Sequence, residues 1–324
     1  MLLFGVCAWV LQIQISEHRE SLWLLKDEAP SFWLRIISTI LLFGIAMGIR
    51  SHRWVLCLNR PDLLSLSFRS IAIGYLVQCP LSKLGEVVRM TNQKRHSDLS
   101  LGEILSTVTI DRLLDVFFLL LLLFISTFLG GGLIQENFSE FEGLLPKLTL
   151  MFFLLKIFLI FIFVFHKKVG NLISSIPILP TKLKQGLISF LNHFNIGLKN
   201  CRSFPMLTYL LLSTIAIWVL YFVMFYLLVS PWSVMPDLTF DEAFILFIIG
   251  TLGVLVPVPG GLAMPLFLQQ GILLIHPEVG EGMSLSISLF AYFINFWLVN
   301  LVNGGISWVW QMFVPPQQVK LTHG

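Results

Sequence analysis

Charged side chains lie within or beside apolar stretches that are long enough to cross a lipid bilayer. Residues 80–90 have the sequence PLSKLGEVVRM, and residues 101–124 have the sequence LGEILSTVTIDRLLDVFFLLLLLF. A charged side chain at membrane depth costs about 2.5–3.5 kcal/mol on insertion scales, so such groups usually pair, face a wet cavity or carry function. The residues that we take as candidates for substrate binding are Lys83, Glu86, Arg89, Asp111, Arg112 and Asp115.

Several kinds of chemistry are open to this cluster. The guanidinium groups of Arg89 and Arg112 match a lipid phosphate, which they can bind in a bidentate manner. Alternatively, the charges neutralise one another, because Glu86–Arg89 and Arg112–Asp115 are both spaced i, i+3. The carboxylates either carry a proton during transport, hold the arginines in place or bind a divalent ion.

The composition predicts an all-α polytopic membrane protein with a single integral membrane domain, residues 1–324. Hydrophobic residues make up 56% of the chain and charged residues 12%, whereas a soluble domain carries about 25% charged residues. The four cysteines include no C-x-x-C pair, which argues against a disulfide framework or a zinc site. None of the seven histidines lies in the charged motifs. We therefore expect no catalytic residue, cofactor, resident metal or nucleic-acid partner.

The first two membrane spans are expected at Met1–Ile15 and Phe32–Gly48, with an acidic link between them. Basic loops stay in the cytoplasm, so a basic loop after the second span would orient that span from outside to inside. The arginines assigned to this loop are Arg50, Arg53, Arg60 and Arg69.

A re-entrant hairpin is predicted next. Ile71–Cys79 is too short to cross the membrane, and Pro80 ends it. Leu81–Met90 then leads back to the basic pair Lys94 and Arg95, on the side from which the chain came. Irregular backbone at this depth requires protein or a cavity around it.

A longer helix carries the two aspartates. Ser100 and Glu103 have the spacing of a capping box, which predicts a helix from there to about Leu129. At 1.5 Å per residue, Asp111 and Asp115 lie roughly 12–22 Å past its start, near the middle of the bilayer. Their i, i+4 spacing places both carboxylates on one face.

The middle of the chain holds a linker span and a cytoplasmic amphipathic segment, together about residues 148–205. The span Leu148–Phe165 carries Lys156, for which a buried charge partner such as Asp111 or Asp115 is favoured over contact with substrate. Residues 166–202 are basic and contain a helical apolar stripe. That stripe suits either a helix on the inner membrane surface or one packed beneath the bundle.

The second half repeats the order of the first. A span at Met206–Val229 is followed by a capping box at Thr239 and Glu242, a second hairpin and a last span at Ser284–Phe313. The hairpin is interrupted by PVPGGLAMP, where a helix break would let free backbone groups line a site; the alternative is a plain loop. Its candidate substrate-binding residues are Pro257, Pro259, Gly260 and Gly261.

These elements predict about six full spans plus two opposed re-entrant helical hairpins, arranged as an inverted repeat. The first repeat covers about residues 32–131 and the second about 206–313. Both termini are expected in the cytoplasm, since the intervening loops alternate between basic and acidic. Inverted repeats with broken helices that meet near the midplane are a recurring design of secondary transporters.

Three sequence elements, in this order, resemble the flippase-like family that includes the transmembrane domain of lysylphosphatidylglycerol synthetases. They are P-x-x-x-x-GE-x-x-R from Pro80 to Arg89, the acid-Arg-x-x-Asp element at 111–115, and P-x-PGG at 257–261. Arg53-Trp54 also suits this family, and the similarity runs from about residue 30 to 310. The family usually has Glu where Asp111 stands, and an acid after PGG that is missing here.

The resemblance implies a membrane lipid flippase or transporter, which moves an anionic or modified lipid, such as an aminoacylated or isoprenoid-linked one, between the leaflets of the cell membrane. The alternative is a membrane-embedded transferase that acts on a lipid head group. Besides the lipid, the expected partner is a second copy of the chain or a separate lipid-modifying enzyme. The aminoacyl-tRNA-dependent synthetase domain of some relatives is not expected in this sequence.

Overall fold

The computed structural model describes residues 12, 32–81, 84–129, 150, 180, 185–186, 203–230, 232, 235, 237–256 and 258–313. These residues form helices and no strand, as expected for an α-helical membrane protein. Several predicted features lie outside them: most of the first span, most of the linker span including Lys156, most of the amphipathic segment, Lys83 and Pro257.

Three described helices are long and apolar enough to cross a membrane, namely Phe32–Leu58, Phe204–Val229 and Pro277–Phe313. We number the α-helices in chain order: α1 Phe32–Leu58, α2 Leu64–Gln78, α3 Leu84–Arg95, α4 Leu101–Leu129, α5 Phe204–Val229, α6 Phe240–Leu255, α7 Ala263–Ile275, α8 Gly280–Tyr292 and α9 Val299–Phe313. A π-helical segment, Phe293–Leu298, joins α8 to α9.

Both capping boxes are confirmed. At the start of α4, the backbone N–H of Ser100 donates to Glu103 Oε2 at 2.7 Å, and the Glu103 N–H donates to Ser100 Oγ at 3.2 Å. Thr239 and Glu242 make the same reciprocal pair at the start of α6. Each box satisfies two backbone donors that the first turn leaves free, which fixes where these helices begin.

The prediction of a basic loop after the second span is wrong for three of its four arginines. Helix α1 continues ten residues past Gly48, and Arg50 and Arg53 lie in it with only 2% and 1% of their surfaces exposed. Arg69 is likewise buried, in α2. Arginine can be buried in these helices because carboxylates or aromatic rings of other helices lie against it, which the charge pattern of a single segment does not reveal.

Two antiparallel helix pairs are joined by short connections. In the first pair, Gly74 of α2 lies against Gly85 of α3, so closely that a Cβ added to Gly85 would be 2.5 Å from the Gly74 carbonyl oxygen. In the second pair, a Cβ on Gly253 of α6 would be 2.6 Å from the Cα of Met264 in α7. Lipid tails are as apolar as leucine, so membrane helices associate through such close backbone packing.

Two further contacts run between the halves of the chain. Helices α1 and α5 are antiparallel neighbours, because Arg35 donates to the Leu227 carbonyl near one end and Arg53 to Thr214 near the other. Helix α9 packs against α2, where Gly304 lies next to Leu76.

The apolar residues form two large cores, and α4 contributes to both. Ile104 and Val108 join the first core with α1 and α2. Phe118 and Leu123 join the second core with α5, α6, α7 and α8. The stretch 111–115 therefore lies at the seam between the cores.

We predict that Gly304→Ala lowers the midpoint of thermal unfolding in detergent. The new Cβ would lie 2.6 Å from Leu76 Cβ and 2.8 Å from the Ala72 carbonyl oxygen, and overpacking typically costs about 1–3 kcal/mol. The control is Gly305→Ala, because nothing lies within 4 Å of that position. Alanine favours a helix over glycine by about 1 kcal/mol, so the control should be neutral or stabilising. Equal midpoints for the two variants would contradict this packing.

Candidate functional site

Asp111 is the centre of a buried charge network. It lies on α4 with 4% of its surface exposed. Its Oδ2 accepts hydrogen bonds from Arg50 Nη1 at 3.1 Å and from Arg89 Nη1 at 3.0 Å. Its Oδ1 accepts a hydrogen bond from Arg53 Nη2. One carboxylate thus ties α4 to α1 and α3.

Asp115 lies one turn further along α4 and shares these partners. Arg50 binds it with both terminal nitrogens, Nη1 to Oδ2 at 2.6 Å and Nη2 to Oδ1 at 3.3 Å. Arg53 Nη2 is 3.3 Å from Oδ1, and Arg112 Nη1 is 3.4 Å from Oδ2. Two-nitrogen contacts of this kind combine strength with fixed geometry.

A more accessible ion pair forms the outer part of the network. Arg112 Nη2 lies 2.5 Å from Glu86 Oε1, and their side chains are 36% and 30% exposed. The other Glu86 oxygen is 3.6 Å from Arg89 Nη1. Arg112 Nη2 also lies 3.5 Å from the hydroxyl oxygen of Tyr75 on α2. Arg112 is therefore the guanidinium of the network with the most exposed side chain.

Neighbouring polar and aromatic groups hold the inner arginines. Arg53 Nη1 donates to Thr214 Oγ1 of α5 at 2.7 Å. The Arg89 guanidinium lies 4.0 Å from the centre of the Trp54 ring, a cation–π contact that substitutes for missing hydrogen bonds. The Trp54 ring is fixed in turn by its Nε1, which donates to Thr107 Oγ1 at 2.9 Å.

The partners differ from those that the sequence spacing suggests. Glu86–Arg89 and Arg112–Asp115 are in contact, but at 3.6 and 3.4 Å they are the longest ion pairs of the network. The shorter contacts come from Arg50 and Arg53, which were not among the predicted site residues. The available signal was their i, i+3 spacing beside Trp54 at the end of an apolar helix.

The charges of the network do not cancel. Among the described residues it contains four guanidinium groups and three carboxylates, an excess of one positive charge when all are ionised. Every carboxylate contacts at least two arginines. The carboxylates are therefore already engaged by cations of the protein, and the set as a whole favours an added anion over an added divalent metal ion.

A cavity of about 370 Å³ adjoins the network. Its charged end is formed by Arg50, Arg112 and Asp115. Its walls are mainly apolar and aromatic and come from both halves of the chain: Phe43, Val116, Leu119, Trp218, Met224, Phe225, Phe247, Val254, Met264 and Phe296. Glu86, Arg89 and Asp111 stand behind the charged end and do not line the cavity. The cavity is amphipathic, with cationic groups at one end only.

The glycine-rich connection lies behind another wall of this cavity. Gly260 and Gly261 are buried, with φ of 75° and 66°, values that glycine adopts without strain. A Cβ on Gly261 would be 3.0 Å from the Phe296 ring, and one on Gly260 would be 3.7 Å from the Cys79 carbonyl oxygen. The connections of the two helix pairs are thus close to each other at Cys79 and Gly260. Neither glycine lines the cavity, and the side chain of Pro259 is outside the described residues.

We predict that Asp111→Asn strongly destabilises the protein. It removes the charge that faces three buried guanidinium groups, and breaking a buried ion pair typically costs about 3–5 kcal/mol. The measurement is the unfolding midpoint in detergent together with the yield of folded protein.

Asp62→Asn is the matched control, because it removes an acid from an exposed ion pair. Asp62 is 56% exposed and lies 2.9 Å from Arg60, and hydrogen bonds from Arg60 lower the pKa of its carboxyl group. Exposed pairs contribute about 0–1 kcal/mol. If both variants unfolded at the same temperature, the network would not stabilise the fold.

Comparison with known proteins assigns the chain to a family. No curated protein and no solved structure matches it. A family model described as the lysylphosphatidylglycerol synthase TM region matches residues 1–302, which include the charge network and both hairpin connections. This match confirms the resemblance found in the sequence motifs. The chain belongs to the lysylphosphatidylglycerol synthase TM family, a family of lipid-related membrane proteins.

Proposed function

We propose that the protein is a lipid flippase that moves an anionic, phosphate-bearing lipid between the two leaflets of the cell membrane. The observation that carries this proposal is the cavity, with an excess of positive charge at one end and mainly apolar walls elsewhere. A lipid has the complementary distribution, with charge on its head group and apolar chains. Small-molecule pockets span about 300–1,000 Å³, so this one suits a head group while the chains remain outside.

Arg112 is the residue that we assign to the lipid phosphate. It lines the cavity, and the side chain of its partner Glu86 is about one-third exposed. A phosphate can take the place of the Glu86 carboxylate, because the guanidinium fork fits both anions. Arg50 lines the same end, but both its terminal nitrogens are held by Asp115, so they are not free to bind the phosphate.

The proposed transport cycle uses the two helix pairs as opposed re-entrant hairpins of an inverted repeat. Three observations support this. Helices α1 and α5, which begin the two proposed repeats, lie side by side and antiparallel. Each helix pair has close backbone contact at a glycine, and the two connections approach each other at Cys79 and Gly260. Opening first one pair and then the other would expose the cavity to each leaflet in turn.

The proposed orientation rests on the charges at the two ends of the helix bundle. Arg60, Lys94 and Arg95 lie at the open end of the first pair, while Glu278 and Glu281 follow the second. The positive-inside rule places the first of these ends in the cytoplasm. Gln311, near the end of α9, contacts Asn92 at the same end, so the C-terminal end of α9 is cytoplasmic in this arrangement.

The function is tested with purified protein in vesicles that contain fluorescent phosphatidic acid or fluorescent phosphatidylglycerol. A membrane-impermeant quencher reports how quickly the labelled lipid reaches the outer leaflet. Wild-type protein should accelerate this exchange, and Arg112→Gln should return it to the rate of protein-free vesicles. The matched control is Arg60→Gln, because Arg60 lies outside the cavity and its variant should transport as wild type.

Two outcomes would contradict the proposal. Wild-type transport by a well-folded Arg112→Gln protein would show that phosphate is not bound there. Mass spectrometry of the recovered lipid provides the second test. A chemically altered head group with no exchange between leaflets would favour the membrane-embedded transferase instead.

The orientation is tested with single cysteines at Asp98 and Glu281, both exposed, in a background without native cysteines. In intact cells, an impermeant maleimide should label Glu281→Cys and leave Asp98→Cys unlabelled until the membrane is opened. Labelling of Asp98→Cys from outside would overturn the proposed entry of the first hairpin from the cytoplasm. The two positions serve as controls for each other, since each should be labelled from one side only.

A further inference from the structure

The cavity has a second polar region, made of amide side chains. Gln78 of α2, Asn295 of the π-helical segment and Asn300 of α9 all line it. Asn300 is 93% buried, since 7% of its surface is exposed. The charged end and this amide end share one cavity, but the described lining residues at the amide end include no acid and no base.

The two asparagines present unused hydrogen-bond acceptors. Asn300 Nδ2 donates to the Phe296 carbonyl oxygen at 2.6 Å, which fixes the orientation of the amide. Its Oδ1 and the Oδ1 of Asn295 are buried and accept no hydrogen bond from any described residue. A buried acceptor without a partner is costly, so its retention points to a ligand that donates to it.

The local backbone supports a binding role for this region. Asn295 lies within the π-helical segment, and single π-turns inside α-helices occur frequently at functional sites. Phe296 of the same segment packs against Gly261, where an added Cβ would lie only 3.0 Å from its ring. The glycine-rich connection therefore holds the π-helical segment, and with it Asn295, in place against the cavity.

The charged end and the amide end are close enough for one lipid head group to contact both. Tyr75, whose hydroxyl oxygen is 3.5 Å from Arg112 Nη2, is three residues from Gln78 on α2. Three helical residues correspond to a rise of about 4.5 Å. A lipid whose phosphate contacts Arg112 can thus place the next few atoms of its head group beside the amides.

The donor expected here is a hydroxyl group and not an ammonium group. The only acid that lines the described part of the cavity is Asp115, and it is already bound by Arg50, Arg53 and Arg112. An ammonium group would therefore lose its water without gaining a free carboxylate, close to a network with excess positive charge. A hydroxyl group needs no counter-charge.

We infer that Gln78, Asn295 and Asn300 form a neutral subsite that selects a hydroxyl-bearing head group, such as glycerol or a sugar attached to the phosphate. This inference rests on the proposed function, and it defines the substrate class of the same cavity. The substrate is then an anionic polyol-phosphate lipid, with its phosphate at Arg112 and its hydroxyl groups at the amides.

The test uses the vesicle assay with three lipids that have the same chains and different head groups. Phosphatidylglycerol offers a phosphate and hydroxyl groups, phosphatidic acid a phosphate alone, and phosphatidylethanolamine a phosphate and an ammonium group. Wild-type protein should move phosphatidylglycerol about tenfold faster than phosphatidic acid, the effect expected of two neutral hydrogen bonds. Phosphatidylethanolamine should be the poorest substrate.

Asn300→Leu and Asn295→Leu should each reduce the ratio of the phosphatidylglycerol rate to the phosphatidic acid rate. A wild-type elution profile and unfolding midpoint in detergent show that each variant is folded, and the second variant is used if the first is not. The control is Asn303→Leu on the same helix, because Asn303 donates to the Val299 carbonyl and does not line the cavity. It should keep the wild-type preference.

The inference and the proposed function fail in different ways. The inferred subsite would be rejected if wild-type protein moved phosphatidylglycerol and phosphatidic acid equally, or if the asparagine variants kept the wild-type preference. Neither result would contradict the proposed flippase function. Phosphatidylethanolamine moving as fast as phosphatidylglycerol would likewise overturn the hydroxyl assignment. Movement of none of the three lipids by wild-type protein would reject the flippase itself.

Discussion

The burial of one carboxylate, that of Asp111, constrains the arrangement of three helices. A buried charge is tolerated only when partners replace the water that it loses. Asp111 obtains them from Arg50 and Arg53 on α1 and from Arg89 on α3. Displacing any of these helices would leave an uncompensated charge between apolar surfaces, so α1, α3 and α4 must pack as one unit.

The ion pairs of the network become more exposed towards the cavity. At Asp111, every partner is buried, and the contacts fix helix positions. At Glu86 and Arg112, the side chains are about one-third exposed, and a single contact joins them. In the proposed function, a lipid phosphate takes the place of the Glu86 carboxylate here, so that the Arg112 guanidinium stays paired. Buried and partly exposed ion pairs thus occur within one helical turn.

The glycines determine how closely the helices around this network approach. Gly74 and Gly85 bring α2 against α3, Gly253 brings α6 against α7, and Gly304 brings α9 against α2. In lipid, such contacts replace the hydrophobic driving force that would hold helices together in water. They also place two connections and a π-helical segment beside the cavity, where residues far apart in sequence meet.

The sequence by itself determined the features that depend on near neighbours. It determined the helical class, the family motifs and the two capping boxes, because hydropathy and i, i+3 hydrogen bonds are local. It also identified Glu86, Arg89, Asp111, Arg112 and Asp115, since charges in apolar segments are conspicuous. Its error was also local: Arg50 and Arg53 looked like loop residues because only their own segment was considered.

Only the tertiary structure decided which guanidinium meets which carboxylate and which side chains line the cavity. Arg53 and Asp111 are 58 positions apart, and Gln78 and Asn295 are on different helices. Helical periodicity specifies the face on which a residue lies, but not the partner that this face contacts. The partner depends on how closely glycines let the helix backbones pack and on the neutralisation of every buried charge. Both conditions are met only when all the helices are in place.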